Sequence, residues 1–275
     1  RFLFILVFFL ISTNLQFFFF RQTIYKWIIL EKYLQMKTTA LIPARLESKR
    51  FPNKLIKKIN GTPIILKTYK AAVDTGLFEN VYVVSGNDVI LDIIKSEGGK
   101  TFRSLKNHNS GTDRIAEAAI ELNTDIVVNL QGDEPFISKK AIGSLIKSFD
   151  DKSVEMASLM TKFKSFEELN NPNNVKVIVD INGNALYFSR LPIPHASKNL
   201  NNYNRHIGVY AFLKKSLIEF SNLKKLNLEI IENLEGNRAV ENSKKIKMIN
   251  TDFQGISIDT PEDLLKAKKF IFLND

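Results

Sequence analysis

The run DIVVNL (125–130) is almost continuously apolar, the pattern of a strand buried on both faces. Such a strand needs helices above and below it, and the preceding sequence supplies them. TTALIP (38–43) and VYVVS (81–85) are two further β-rich runs. Between them Ile65, Tyr69, Ala72 and Val73 recur at helical spacing up to Gly76, after Thr62-Pro63, which reads as an N-cap and first-turn proline. A second helix is predicted from about Asp88 to Gly98-Gly99, and a third near 112–122. Strand, helix, strand, helix, strand predicts right-handed crossovers and an α/β fold with a mainly parallel, doubly wound sheet.

Beyond residue 150 the pattern changes. VKVIVDINGNALYFSR (175–190) predicts a hairpin turning at Asn182-Gly183. HIGVYAF (206–212) predicts another strand and 228–241 an acidic helix; KIKMINT follows, and then GISI as a closing strand. Thr260, Pro261 and Asp263 then mark the start of a last helix. No Pro-, Gly- or Ser-rich linker divides the halves, which predicts one domain over 36–275 with an inserted substrate or dimerisation lobe at about 163–245. Residues 1–35 differ, with dense Phe, Ile and Leu, four Lys/Arg and one acidic residue. Ser12, Thr13, Asn14 and Gln16 interrupt the run of about 20 apolar residues that a membrane span needs, and no small-residue cleavage site follows. Because the chain lacks an initial Met and Met36 directly precedes the first strand, 1–35 is expected to be translated upstream sequence outside the fold. A membrane-associated leader is the competing reading.

Disulfides, thiolate zinc sites and cysteine nucleophiles are excluded, because the chain has no cysteine; that absence also fits a reducing cytoplasm. The net charge of +10 suggests an anionic partner, although abundant Lys, Asn and Ile would also follow from an AT-rich genome. Three charged clusters stand at predicted strand ends, where doubly wound sheets hold ligands: LIPARLESKRFPNK (41–54), QGDEP (131–135) and Asp259. Arg45 and Lys54 are read as neutralising the phosphates of a nucleoside triphosphate, and Lys49 and Arg50 as solvated charge. The carboxylates of Asp133 and Asp259 offer the hard oxygens that Mg²⁺ shares with phosphate and water. Ser110-Gly111-Thr112 opens a helix where backbone could approach a base or phosphate, or where it simply caps the helix. A P-loop ending at Gly99-Lys100-Thr101 is excluded by Ile94, no G-x-G-x-x-G occurs, and the three His lack metal-ligand spacing.

Taken together, LIPARLESKRFPNK, HNSGTDR, NLQGDEP, NPNNVKVIVD, ALYFSR, RHIGVYAF and SIDTPEDL resemble the 3-deoxy-manno-octulosonate cytidylyltransferase family, in family order from about 38 to 268. The resemblance implies a glycosyltransferase-A-like fold and a cytoplasmic homodimer. It also implies Mg²⁺-dependent transfer of CMP from CTP to 3-deoxy-manno-octulosonate, with pyrophosphate released, for lipopolysaccharide synthesis. It places phosphate contacts on Arg45 and Lys54 with Ser48 between them, and metal ligands on Asp133 and Asp259. Arg45, Lys54 and Asp133 would carry the catalysis. Cytosine and ribose contacts fall around Ser110, Thr112, Arg114 and Gln131, and the sugar acid on Arg190, His206, Glu232 and Glu235. CTP and an acidic octulosonate are then the partners, with neither nucleic acid nor membrane; a nucleic-acid binder would leave Asp133 and Asp259 without a role. Two departures stand out. Ser85-Gly86 replaces the family's Thr-Asp, and Glu235-Gly236-Asn237-Arg238 replaces E-Q-L-R, whose glutamine would face the sugar. An 8-amino octulosonate or a sialic-like acid is therefore the alternative substrate.

Overall fold

The computed structural model describes residues 36–48, 50–195, 198–255 and 257–274; the 1–35 extension and Lys49 lie outside them. In chain order the elements are β1 (Thr38–Pro43), β2 (Lys58–Ile59), β3 (Thr62–Pro63), α1 (Ile64–Asp74), β4 (Asn80–Ser85), α2 (Asp88–Lys95) and β5 (Thr101–Arg103). They continue as α3 (Gly111–Glu121), β6 (Ile126–Asn129), α4 (Lys139–Lys147), β7 (Met156–Lys162), α5 (Phe166–Asn170), β8 (Lys176–Val179) and β9 (Ala185–Ser189). The chain closes with β10 (Asn204–Leu213), α6 (Lys214–Ser221), α7 (Asn227–Glu232), α8 (Gly236–Glu241), β11 (Lys247–Asn250) and α9 (Pro261–Asn274). Among the described residues no helix is long and apolar enough to cross a membrane.

The main sheet runs β11-β7-β10-β6-β1-β4-β5, with the β8–β9 hairpin attached to β10. It is mainly parallel: β1 pairs in parallel with β4 and β6, β4 with β5, and β7 with β11, while β10 runs against both β6 and β7. Ala40, Leu41 and Ile42 of β1 and Val127 and Val128 of β6 are wholly enclosed, as strands covered on both faces require. From β1 the chain turns to β4 and β5 on one side; β6 lies on the other. The crevice between the carboxyl ends of β1 and β6 is thus the point where connections diverge, the place such sheets bind ligands. The reversed strand β10 brings its first residues to that same edge. Tyr210 lies opposite Asn129, the last residue of β6, so Arg205 and His206 reach beyond the end of β6.

Three local readings of the sequence are corrected. Thr62-Pro63 pairs with Lys58-Ile59 as a small hairpin, so Pro63 stands at the N-cap of α1 and Thr62 does not cap it. The acidic helix is two helices, broken where Asn233 adopts a left-handed conformation with φ 52°. GISI forms no strand among its described residues; the Ile258 amide instead donates to the Asp133 carbonyl at 3.0 Å, seating this segment against the loop after β6. The last helix begins as expected, with Asp263 N–H donating to Thr260 Oγ1 at 3.2 Å and Thr260 N–H to the Asp263 carboxylate at 3.1 Å.

Candidate active site

The loop leaving β1 lines a cleft of about 900 Å³. Its path is set by backbone: the Ala44 amide still bonds the Val84 carbonyl at 2.9 Å, and the loop then doubles back so that the Asn53 amide reaches the Leu46 carbonyl at 3.3 Å. Asn53 makes this return in a left-handed conformation, φ 57°, which Asn tolerates better than most side-chain-bearing residues. Lys54 follows, and its Nζ donates to Asp133 and, at 2.9 Å, to Asp259 Oδ1. Burial would lower the Lys54 ammonium, but the charges of Asp133 and Asp259 and the hydrogen bonds to them outweigh it and hold the pKa above its ordinary value. Arg50 joins the group, 3.0 Å from Asp259. Both carboxylates therefore converge on one point, where a cation already stands.

The opposite wall is the start of α3. Ser110 caps the helix by accepting from the Asp113 amide at 3.1 Å. Gly111 packs so closely that a Cβ would lie 3.0 Å from Pro43 Cγ. Arg114 lines the cleft with Arg45; burial lowers its pKa and the Arg45 charge lowers it further. Two guanidiniums sharing a wall concentrate positive charge on that side of the cleft. Nearby, Glu117 accepts from Ser104 at 2.6 Å, His108 at 2.7 Å and the Leu105 amide at 3.0 Å. Burial opposes its ionisation, yet these hydrogen bonds pull the carboxyl down to about 2. Glu117 thereby pins the loop carrying His108 against the cleft.

A second cleft of about 400 Å³ shares Gln131, Asn233 and Asp259 with the first. His206 lies in it, ringed by Phe188 and Tyr210 at 4.9 and 5.3 Å between centroids. Burial drives its pKa down to about 3, so the imidazole is neutral. Ser158 Oγ lies 2.8 Å from His206 Nε2 and also 2.8 Å from the Val209 carbonyl. The serine's single proton goes to the carbonyl, which leaves Nε2 as the protonated ring nitrogen. Glu235 lines the same cleft, its carboxyl raised by burial although the Thr112 hydroxyl and Arg238 pull the other way.

A sequence model of the cytidylyltransferase family matches residues 39–246. The 3-deoxy-manno-octulosonate cytidylyltransferase of Christiangramia forsetii is 48% identical over 240 residues, covering 86% of this chain and 97% of that protein. The chain belongs to the 3-deoxy-manno-octulosonate cytidylyltransferase family. The protein of the same name from Flavobacterium johnsoniae is 48% identical over 241 residues, 86% of this chain and 99% of its own. Among solved structures, CMP:2-keto-3-deoxy-manno-octonic acid synthetase complexed with CTP aligns with a TM-score of 0.81 at 33% identity, covering 87% of this chain and 100% of that one.

Within this family member, Arg45, Ser48, Lys54, Ser110, Arg114, Gln131, Asp133 and Asp259 all line the larger cleft, and Gln131, His206, Glu235 and Asp259 the smaller. Three predicted contacts lie elsewhere. Thr112 is wholly buried, its hydroxyl engaged by Asn129 and Glu235. Arg190 spends its guanidinium on the carbonyls of Pro172, Glu232 and Asn233. Glu232 accepts from Tyr187 at 3.0 Å, Ser189 at 3.1 Å and the Arg190 amide at 2.8 Å, tying α7 to β9. Sequence reasoning passed over Arg205 and Glu134, which both line the smaller cleft. Burial and the Asp133 charge push Glu134 up to about 8, with Arg205 opposing. Both stood inside motifs already quoted, RHIG and GDEP; for Arg205 the missing signal was that β10 runs backward and carries its N-terminal end to the site, whereas Glu134 follows β6 and could not be told from Asp133 beside it.

Proposed function

We propose that the chain transfers CMP from CTP to 3-deoxy-D-manno-octulosonate, forming the CMP-sugar and pyrophosphate for lipopolysaccharide synthesis. The observation that carries this reading is the junction of the two clefts at Gln131, Asn233 and Asp259. One side is walled by Arg45, Arg114 and Lys54, suited to a triphosphate; the other, smaller side holds a neutral His206, Glu235 and Arg205, suited to a polyhydroxy acid. The sugar's anomeric hydroxyl then attacks the α-phosphorus at the junction, and the P–O bond to the departing pyrophosphate breaks. Arg45 and Arg114 neutralise charge on the phosphates, and Lys54 is within reach to do the same. Arg205, lying in the cleft as Arg190 does not, presents its guanidinium to the sugar carboxylate.

The donor set fits Mg²⁺ without a protein cage. Among the described residues no group of three or more His, Asp or Glu side chains could enclose a metal. Asp133 and Asp259 do reach a common point, as their shared bonds to Lys54 demonstrate. One or two carboxylates completed by phosphate and water is how Mg²⁺ is usually bound beside nucleotides. Bound there, Mg²⁺ would supply charge neutralisation to the triphosphate. The reading includes a cytoplasmic homodimer that binds neither nucleic acid nor membrane.

Pyrophosphate release with CTP, Mg²⁺ and a panel of acidic sugars tests it. Release with 3-deoxy-manno-octulosonate is expected, and no release with any octulosonate would sink it. The panel includes the 8-amino analogue for a specific reason. At Gly236, where the family pattern places glutamine, a Cβ would fall 2.7 Å from Cε2 of Phe188, a lining residue of the smaller cleft, so the backbone beside that cleft has no room for a side chain.

A further inference from the structure

Thr112 sits on α3, the helix whose first turn walls the nucleotide cleft, yet its hydroxyl faces away from that cleft. It donates to Glu235 Oε1 at 2.7 Å and accepts from Asn129 Nδ2 at 3.0 Å. Thr112 and Asn129 are both 0% exposed, so this link is shielded from water. Glu235, by contrast, lines the smaller cleft, and its Oε2 has no hydrogen-bond partner among the described residues. One oxygen is anchored and the other is left to accept.

A second tie runs in parallel, one residue further along the same turn. Arg238, 1% exposed, donates to Asp113 at 3.0 Å while clasping Glu229 through two nitrogens at 2.9 and 2.8 Å. Thr112 and Asp113 therefore fasten the Glu235–Arg238 segment to the helix that also presents Ser110, Gly111 and Arg114 to the nucleotide. A bond held at both ends by buried partners fixes a carboxylate's direction more firmly than packing alone.

We propose that Thr112 is a positioning residue for the sugar cleft: its hydroxyl holds one oxygen of Glu235 so that the other accepts a hydrogen bond from a hydroxyl of the polyhydroxy-acid substrate. This rests on the cytidylyltransferase reading above, and it separates Thr112 from the nucleotide contacts beside it in the sequence. The charged and titratable groups facing Glu235 are Arg238, Asp113, Glu229 and Tyr210. Removing the Thr112 hydroxyl takes away one of the two influences that lower the Glu235 pKa against its burial, the other being Arg238.

The experiment compares wild type, Thr112→Val and Thr112→Ser by pyrophosphate release, with CTP binding measured separately by calorimetry. Wild type is assayed first; failure with every octulosonate overturns the activity itself, whereas the comparisons below address Thr112 alone. Thr112→Val should raise the KM for the octulosonate about tenfold or more, the usual effect of losing a hydrogen bond to a charged group. CTP affinity should stay within about twofold, since no nucleotide contact is lost, and Thr112→Ser should restore the sugar KM. The acid limb of kcat/KM for the sugar should move to higher pH in Thr112→Val. A rise in the KM for CTP with the sugar KM unchanged would overturn the proposal, as would an unchanged sugar KM or a serine variant no better than valine. Should Thr112→Val fail to fold, Glu235→Gln decides. It keeps an acceptor for Thr112 but removes the charge, and it must raise the sugar KM and spare CTP binding.

Discussion

Lys54 holds together two carboxylates that would otherwise repel one another. It does so with an ammonium whose burial is opposed by the very charges it joins. Replacing either carboxylate by its amide keeps the shape and removes the charge. Asp133→Asn or Asp259→Asn is expected to cut kcat by about a hundredfold or more, the scale of losing one preorganised electrostatic contact. Circular dichroism should leave the fold unchanged, and wild-type rates in either variant would refute the assigned role. His206 makes a prediction about pH. Unfolded, an imidazole titrates near 6.5, whereas here burial lowers it to about 3. Between those values only the unfolded chain takes up the proton. Stability from this group is thus complete above pH 6.5 and is lost as pH falls toward 3, at about 1.4 kcal/mol per pH unit. His206→Gln should flatten that part of the profile in denaturant melts from pH 7 to 4, and parallel profiles would contradict the buried neutral imidazole. At this scale the sequence was informative about charge and silent about direction. Arg45, Lys54 and Asp133 could be placed at one sheet edge because they follow recognisable strands, whereas Asp259 reaches the same cleft from a segment that forms no strand among its described residues. Thr112 and Arg190 could not be separated from their neighbours, because which way a side chain points within a motif depends on packing from elements far along the chain.

Strands β1, β4 and β6 were legible as elements because double burial leaves no polar face to blur the pattern. The hairpin of β8 and β9 was legible for another reason, the Asn182-Gly183 turn, with Gly183 at φ 75°. β5 has three residues and leans on β4 for its existence, so no periodicity could reveal it. The break between α7 and α8 was hidden because a lone Asn is a weak stop signal, although Asn233 tolerates the left-handed conformation better than most side-chain-bearing residues. That break matters for β9, which would otherwise present an open edge. Asn237, at 0% exposure, accepts from the Phe188 amide at 3.0 Å and donates to the Phe188 carbonyl at 2.9 Å, so its amide stands in for a neighbouring strand. Asn237→Ala would strand both backbone groups in the interior, at roughly 2–4 kcal/mol. A thermal melt should show the midpoint falling by about 5 °C or more. A midpoint unchanged from wild type would mean that water, or a shift of α8, satisfies the edge instead.

The whole molecule leaves large apolar side chains on the lobe that the sequence set apart. Ile181 is fully exposed at the hairpin tip, Leu191 is 70% exposed just after β9, and Ile230 and Ile231 are 63% and 77% exposed on α7. β9 and α7 are neighbours, joined through Glu232, so Leu191, Ile230 and Ile231 are exposed apolar residues on or beside adjoining elements. Single exposed hydrophobics are ordinary, but a contiguous apolar surface is what interfaces between subunits use. The expected partner is a second copy of the chain, in a closed two-fold dimer in which the same patch meets itself. Sedimentation should then give twice the chain mass at micromolar concentration, with a melting midpoint that rises with protein concentration. Ile231→Lys places a charge in the patch on both subunits at once. It should shift the mass toward the monomer and abolish the concentration dependence, while CTP binding, whose cleft lies at the carboxyl ends of β1 and β6, stays intact. A wild-type chain that sediments as a monomer would remove the dimer from the proposal and leave the chemistry of the clefts untouched.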